Sequence, residues 1–223
     1  MPSVTTQNRV LLGFALLLLG FGLWQLGGAG WIKAKAWLAQ RLLDQAWATT
    51  LAGSAQVRPW PWADTWPVAR LEVADLGVDL FVLSGTSARN LAFGPTALEG
   101  TAALDHSIVS GHRDTHFAFL RHLEAGKRFR LQDREGAWQD YVVRGHSILD
   151  VRQEIRVRPG NGRTLLTLVT CYPFDAVDPG GPLRYAVTAE AVEGRETSAT
   201  DQSIGGSKLG GESPGQASPG GTS

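Results

Sequence analysis

The chain has no second cysteine. Its 223 residues contain one cysteine, which excludes an intrachain disulfide framework and any zinc site built from several cysteines. It also lacks net charge, since 21 lysines and arginines balance 21 acidic residues, so no overall field favours nucleic acid. No internal repeat is evident, and no glycine-rich phosphate loop follows a strand. The length and the 43% hydrophobic content suit one main globular domain, in which the lone thiol of Cys171 needs an explanation.

The first part of the chain is predicted to be a membrane anchor, residues 1–32. Residues 10–32 carry no charge and include four consecutive leucines at 16–19, enough to cross about 30 Å of hydrocarbon as a helix. A cleaved signal peptide is the alternative, because small residues follow the apolar run. More basic residues follow the segment than precede it, which opposes an external position for the domain.

Residues 33–58 are predicted to form an amphipathic helix and a linker. Apolar residues recur at helical spacing as Leu38, Leu42 and Ala46, and again as Leu43, Trp47 and Leu51. Such a helix either lies on the membrane surface or packs on the following domain. Three prolines then enforce an extended path past Trp60, Trp62 and Trp66, and these tryptophans favour packing against the domain over substrate or bilayer contact.

Residues 59–193 are predicted to form a mainly β domain, and a closed or nearly closed barrel is the expected architecture. Candidate strands are 68–73, 78–83, 107–110, 127–132, 138–146, 164–170 and 184–192, with a hairpin at 133–136. Helical spacing is found only near residues 117–124. Residues 194–223 are rich in glycine, serine, threonine and proline, which predicts a disordered tail.

Cys171 ends a β-like run and is followed two residues later by Pro173, which predicts a thiol at a strand end on the rim of a barrel. A thiol with a reference pKa of about 8.5 needs a base or a cation nearby to act as a nucleophile.

Five histidines are candidates for that base, and spacing alone does not choose among them. They are His106, His112, His116, His122 and His146. His112 follows Gly111 directly after a predicted strand, which is another rim position. His112 and His116 also have the spacing of two metal ligands on a helix, but the cation Arg113 stands where a zinc protease has its glutamate. We therefore predict no metal.

Three motifs together resemble the sortase family. They are Ile108-Val-Ser-Gly-His112, Leu166-Thr-Leu-Val-Thr-Cys171 and Pro182-Leu-Arg184-Tyr-Ala-Val187, and their order and spacing also agree. The resemblance covers about residues 59–190. The stretches 59–71 and 171–176 resemble the branch found in Gram-negative proteobacteria, class GN.

The resemblance implies a sortase-type closed β-barrel and a cysteine transpeptidase. Its substrate would be a protein with a C-terminal LPxTG-like sorting signal, cleaved through a thioester and transferred to an amine that the sequence does not identify. Cys171 would be the nucleophile, His112 the acid/base and Arg184 the stabiliser of the transition state. No cofactor is implied. The expected location is the inner membrane, as a single-pass protein whose domain faces the periplasm. A cysteine hydrolase and a catalytically idle binding protein are the alternatives.

Overall fold

The structure is a computed structural model that describes residues 4–98, 105–153, 157, 159–177 and 180–192. Helix α1 (Val4–Leu51) runs for 48 residues, so the predicted anchor and the predicted amphipathic helix belong to one continuous helix. In the part of the chain that the structure describes, no helix combines the length and the apolar character needed to cross a membrane. The transmembrane helix predicted at residues 10–32 is thus not found, and the predicted tail, 194–223, lies outside the described residues.

The described strands close into a single barrel with the order β1-β2-β3-β4-β7-β8-β6-β5. They are β1 (Pro67–Val73), β2 (Val78–Leu83), β3 (Thr96–Ala97), β4 (His106–Ser110), β5 (Arg128–Gln132), β6 (Trp138–Asp150), β7 (Leu165–Cys171) and β8 (Leu183–Ala191). Pairing is antiparallel except between β2 and β3 and between β4 and β7. A short helix α2 (Ala88–Leu91) and 3-10 turns at Ala74–Leu76 and Ala118–His122 connect strands.

The barrel interior is the hydrophobic core. Strand β1 alternates buried and half-buried residues along its whole length, as a strand with one face on a core should. Fully buried side chains fill the interior, among them Leu71, Phe117, Leu120, Leu166 and Leu168. Because side chains of one strand alternate between faces, the remaining residues of each strand lie on the outside of the barrel.

The second half of α1 packs on the barrel, which decides between the two placements that the sequence left open. Ala39, Leu43, Ala46 and Trp47 are buried, and the Trp47 indole Nε1 donates to Oε1 of Gln132 on β5 at 3.2 Å. The predicted apolar stripe is partly wrong: Leu38 and Leu51 are exposed. The buried stripe is instead centred on the small residues Ala39 and Ala46, which let the helix approach the barrel.

The tryptophans after α1 differ from one another. Trp60 is half-buried and makes an edge contact with Phe93, with ring centroids 4.9 Å apart. Trp62 is 81% exposed, so domain packing describes Trp60 but not Trp62.

The predicted strands and hairpin are confirmed, with ends displaced by at most one residue except in β6, which extends four residues further, to Asp150. Strand β3 and helix α2 were missed. Both are very short, and elements of that length carry too few residues for a periodic signal. The predicted helical segment near residues 117–124 is a 3-10 turn.

Candidate active site

Cys171 is the last residue of β7, so its prediction as a strand-end thiol is confirmed. Leu166 and Leu168 point into the barrel and are fully buried, and the alternation places Cys171 on the outer face, where it is half-buried. The thiol thus stands on the outside of the barrel at the end of a strand, and a peptide can approach it there.

Arg184 lies directly opposite Cys171 on the antiparallel neighbour β8. The Tyr172 amide donates to the Leu183 carbonyl at 3.0 Å, which makes Cys171 and Arg184 a non-hydrogen-bonded pair. Side chains of such a pair lie on the same face and closer together than those of a hydrogen-bonded pair. In the structure, Nη1 of Arg184 donates to the carbonyls of Gly181 at 2.6 Å and Leu183 at 2.9 Å, so the guanidinium is held by its own strand and loop.

His112 reaches the same edge of the barrel from the other neighbour of β7. Strand β4 runs parallel to β7, and Ser110 pairs with Val169. The segments that follow β4 and end β7 stay hydrogen-bonded beyond that pair. The Gly111 amide donates to the Val169 carbonyl at 3.1 Å, and the Thr170 hydroxyl donates to the Gly111 carbonyl at 2.7 Å. The parallel register therefore directs His112, an exposed residue, toward the end of β7 that carries Cys171.

The backbone turns away immediately after His112. The Phe117 amide donates to the His112 carbonyl at 2.9 Å, and the Phe117 ring lies against Gly111, where an added Cβ would come within 2.8 Å of the ring. The sequence element Gly-His therefore has a packing reason: only glycine leaves room for the buried ring that supports the His112 turn.

The structure separates two other histidines from the thiol. His106 pairs with Leu165, six residues before Cys171, which corresponds to about 20 Å along the strand. It is buried, with Nε2 at 2.7 Å from the Thr167 hydroxyl. His146 is on β6, separated from β7 by β8, and stacks on Tyr185 with centroids 5.1 Å apart.

His116 and His122 follow His112 in the turn region. Burial lowers the pKa of His116, and repulsion from a charge on His112 lowers it further. His112 and His116 are thus close enough to repel each other when both are charged. Among the described residues, no three His, Cys, Asp or Glu side chains are grouped so that they could hold a metal ion.

Arg113 is the residue whose importance the sequence reasoning missed. It was considered only as a reason against zinc, yet it is buried, and it donates to the carbonyls of Pro173 and Ala176 in the loop that follows Cys171. Its position directly after His112 is the only signal that the sequence offers, and that signal does not reveal the partners.

Comparison with known proteins identifies a family for this chain. The Sortase domain family matches residues 71–192. Sortase D of Bacillus subtilis (strain 168) is 30% identical over 125 residues, which are 55% of this chain and 62% of that relative; the chain therefore spans less than two thirds of the length of that curated protein.

Solved sortases have the same fold. Sortase C-1 from Actinomyces oris is similar with a TM-score of 0.50 and 26% identity, over 67% of this chain and 98% of that one. Sortase A from Corynebacterium diphtheriae has a TM-score of 0.52 and 20% identity, over 73% of this chain and 86% of that one. With a family match over more than half of its residues, the chain belongs to the sortase family.

Proposed function

We propose that this chain is a transpeptidase that cleaves an LPxTG-like sorting signal and transfers the acyl group to an amine. The observation that carries the proposal is the meeting of three strands at one edge: Cys171 ends β7, Arg184 is its cross-strand partner on β8, and β4 delivers His112 from the other side. A nucleophile, an acid/base and a fixed cation on one outer face are the groups that acyl transfer needs.

In the proposed reaction, the Cys171 thiolate attacks the carbonyl carbon of the signal's threonine. The tetrahedral intermediate collapses when the imidazolium of His112 donates a proton to the leaving amine, which leaves a thioester. The neutral imidazole then accepts a proton from the incoming amine, whose nitrogen attacks the thioester and expels the thiolate. The acid and the base are the same side chain at successive steps, so the cycle returns the site to its starting charges.

Arg184 would stabilise the oxyanion that forms in each half of the cycle. Among the residues that the structure describes, both hydrogen bonds donated by the Arg184 side chain come from Nη1. We therefore propose Nε and Nη2 as the donors for the substrate. We expect Arg184→Lys to be nearly as inactive as Arg184→Ala, because lysine keeps the charge but loses the planar fork. A loss of about a hundredfold or more in kcat is expected for either variant, and near-normal kcat for the lysine variant would reduce Arg184 to a general electrostatic role.

The central experiment is a mass-spectrometric search for an acyl adduct on Cys171 after incubation with candidate signal peptides. Cys171→Ala is the matched control and should show neither adduct nor cleavage while it unfolds cooperatively. Added amines separate the alternatives: an amide product supports transfer, and only a free acid supports a hydrolase. If no peptide forms an adduct and the thiol reacts at the same rate in His112→Ala, the chain is better described as an idle binding protein.

The fold of this chain is similar to that of a solved sortase C of Clostridium perfringens with the C-terminal cell wall sorting motif. This likeness, which is one of fold alone, supports the use of sorting-signal peptides in the experiment. We also propose the Gram-negative class GN branch, on the resemblance of residues 59–71 and 171–176. The test is a comparison of signal peptides and amine acceptors; a clear preference for a peptidoglycan-type amine would contradict that assignment.

We further propose attachment to the inner membrane, with the barrel in the periplasm. The first half of α1 supports the attachment, but not the orientation, through exposed large apolar side chains such as Leu17 and Trp24, which are 74% and 79% exposed. Carbonate extraction of membranes, followed by protease treatment of spheroplasts, tests both parts. Recovery of the full-length protein in the soluble fraction would refute the attachment, and protection of the barrel from protease would refute the orientation.

A further inference from the structure

Arg113 holds a buried positive charge at the edge of the site. Its side chain is 7% exposed, and burial of a charge is costly unless hydrogen bonds compensate for the lost water. Nη1 donates to the Pro173 carbonyl at 2.8 Å, Nη2 donates to the Ala176 carbonyl at 2.6 Å, and Nε lies 3.3 Å from Oδ1 of Asp114. The guanidinium is thus bound on three sides by protein groups.

These bonds join the two loops that leave the site. Pairing between β4 and β7 ends with the bonds of Gly111 to Val169 and Thr170, just before His112 and Cys171. Arg113, the residue directly after His112, then binds carbonyls of the loop that begins two residues after Cys171. His112 and Cys171 are therefore each bracketed, by strand pairing on one side and by Arg113 on the other.

A second arginine contacts the same loop from outside. Nη1 of Arg121 lies 3.5 Å from Oδ1 of Asp175, and its guanidinium stacks over the Phe174 ring at 4.8 Å. Arg121 is exposed, and Asp175 has a side chain that is 91% exposed, so solvent competes for these interactions. Arg121 contacts the loop without joining it to His112, which makes it a matched control.

We propose that Arg113 is a positioning residue that fixes the Cys171 thiol relative to the His112 imidazole by tying the loop after Cys171 to the segment that carries His112. In this role it acts through the backbone carbonyls of Pro173 and Ala176 and not on the reacting groups directly. Two carbonyls in different directions require the planar fork of arginine, because a lysine ammonium on a single stem cannot reproduce that fixed geometry. The inference rests on the proposed roles of Cys171 and His112.

The test compares Arg113→Met, Arg113→Lys and the control Arg121→Met by two assays. One follows alkylation of Cys171 by iodoacetamide from pH 5 to 9, and the other measures kcat and KM with a signal peptide and an amine. Arg113→Met should lower kcat and the neutral-pH alkylation rate by about ten- to a hundredfold. KM should stay within about threefold, because a displaced acid/base weakens the chemical step more than binding. Arg113→Lys should recover part of the loss, and Arg121→Met should stay within about twofold of the wild type.

The pH profile separates positioning from mere stabilisation. A structural role would lower the melting temperature but leave the alkylation profile of the folded protein unchanged, whereas positioning predicts a profile shifted toward that of His112→Ala. A folded Arg113→Met with wild-type kcat and alkylation profile would overturn the proposal, as would failure of both Arg113 variants to fold. Alkylation needs no sorting signal, so it tests this inference separately from the proposed function. If the alkylation profile changes in Arg113→Met but the wild type shows no transpeptidation, the proposed function is contradicted and this inference stands.

Discussion

Substitution of Gly111 by alanine should disturb both the packing of the barrel core and the position of His112 in the site. A Cβ at Gly111 would lie 2.8 Å from Cγ and 2.9 Å from Cδ2 of Phe117, whereas carbon atoms prefer separations of about 3.5–4.0 Å. Phe117 is fully buried and packs edge-on against Phe119 with centroids 5.7 Å apart, so its ring has little space to retreat. The backbone of Gly111 is held in turn by Val169 and Thr170, and the clash must be shared between these two sides.

The expected cost follows from overpacking. A methyl group forced into a well-packed core destabilises a protein by about 1–3 kcal/mol. At about 2–4 °C per kcal/mol for a chain of this size, Gly111→Ala should lower the melting temperature by about 2–12 °C. Because His112 directly follows, kcat should fall as well, by up to about a hundredfold if the imidazole shifts by 1 Å.

A double-mutant cycle measures the clash itself. Phe117→Leu removes ring atoms and should cost less stability in the Gly111→Ala background than in the wild type, because the smaller side chain relieves the contact. Gly145→Ala is the control: it also adds a methyl group, but no heavy atom lies within 4 Å of the new Cβ. Thermal denaturation of the four proteins and the control gives the coupling, and equal effects of Phe117→Leu in both backgrounds would refute the steric reasoning.

Two further predictions concern α1 and pH. Trp47→Phe should reduce the free energy of unfolding by about 1–3 kcal/mol, because the buried Gln132 loses the donor that holds its Oε1. The control Trp62→Phe, at an exposed position, should alter it by less than about 0.5 kcal/mol. Equal effects of the two substitutions in urea denaturation would contradict the docking of the helix on the barrel. The pKa of His116 is lowered in the folded protein, chiefly by burial, so the unfolded chain binds a proton at this imidazole more readily than the folded protein does. The free energy of unfolding is therefore highest above pH ~6.5 and falls as the pH is lowered through the pKa of His116 in the folded state. His116→Gln should therefore gain melting temperature relative to the wild type as the pH is lowered from 8 to 5; an equal gain in His122→Gln would point to general charge instead.

The strands could be predicted because their signal is local. Alternation of apolar residues and the flanking turn residues locate β1, β2 and β5–β8 within a few residues, and the hairpin at residues 133–136 carries its own turn chemistry. Strand β3 pairs through only three residue pairs, and nothing local marks it. The barrel needs it nonetheless, since β3 joins β2 to β4 and so closes the ring.

The choice of histidine shows where local signals end. Spacing left five candidates, and their distances from Cys171 depend on which strands are neighbours and in which direction they run. Parallel pairing of β4 with β7 sends the residue after Gly111 toward the thiol and leaves His106 at the far end, and the same two strands in antiparallel pairing would reverse that outcome. The family motifs anticipated the neighbourhood of Cys171 and Arg184, but they say nothing of register.

Arg113 extends this argument from position to chemistry. In the sequence it is a cation beside a histidine, a pattern that suggests a solvated side chain or a disturbance to a metal site. The fold instead buries it, because the carbonyls of Pro173 and Ala176 accept from its two terminal nitrogens. A charge is stable in that place only if both loops hold their positions, so the geometry of the site and the burial of Arg113 depend on each other. The loop after Cys171 is therefore as much a part of the site's construction as the strands that carry Cys171 and Arg184.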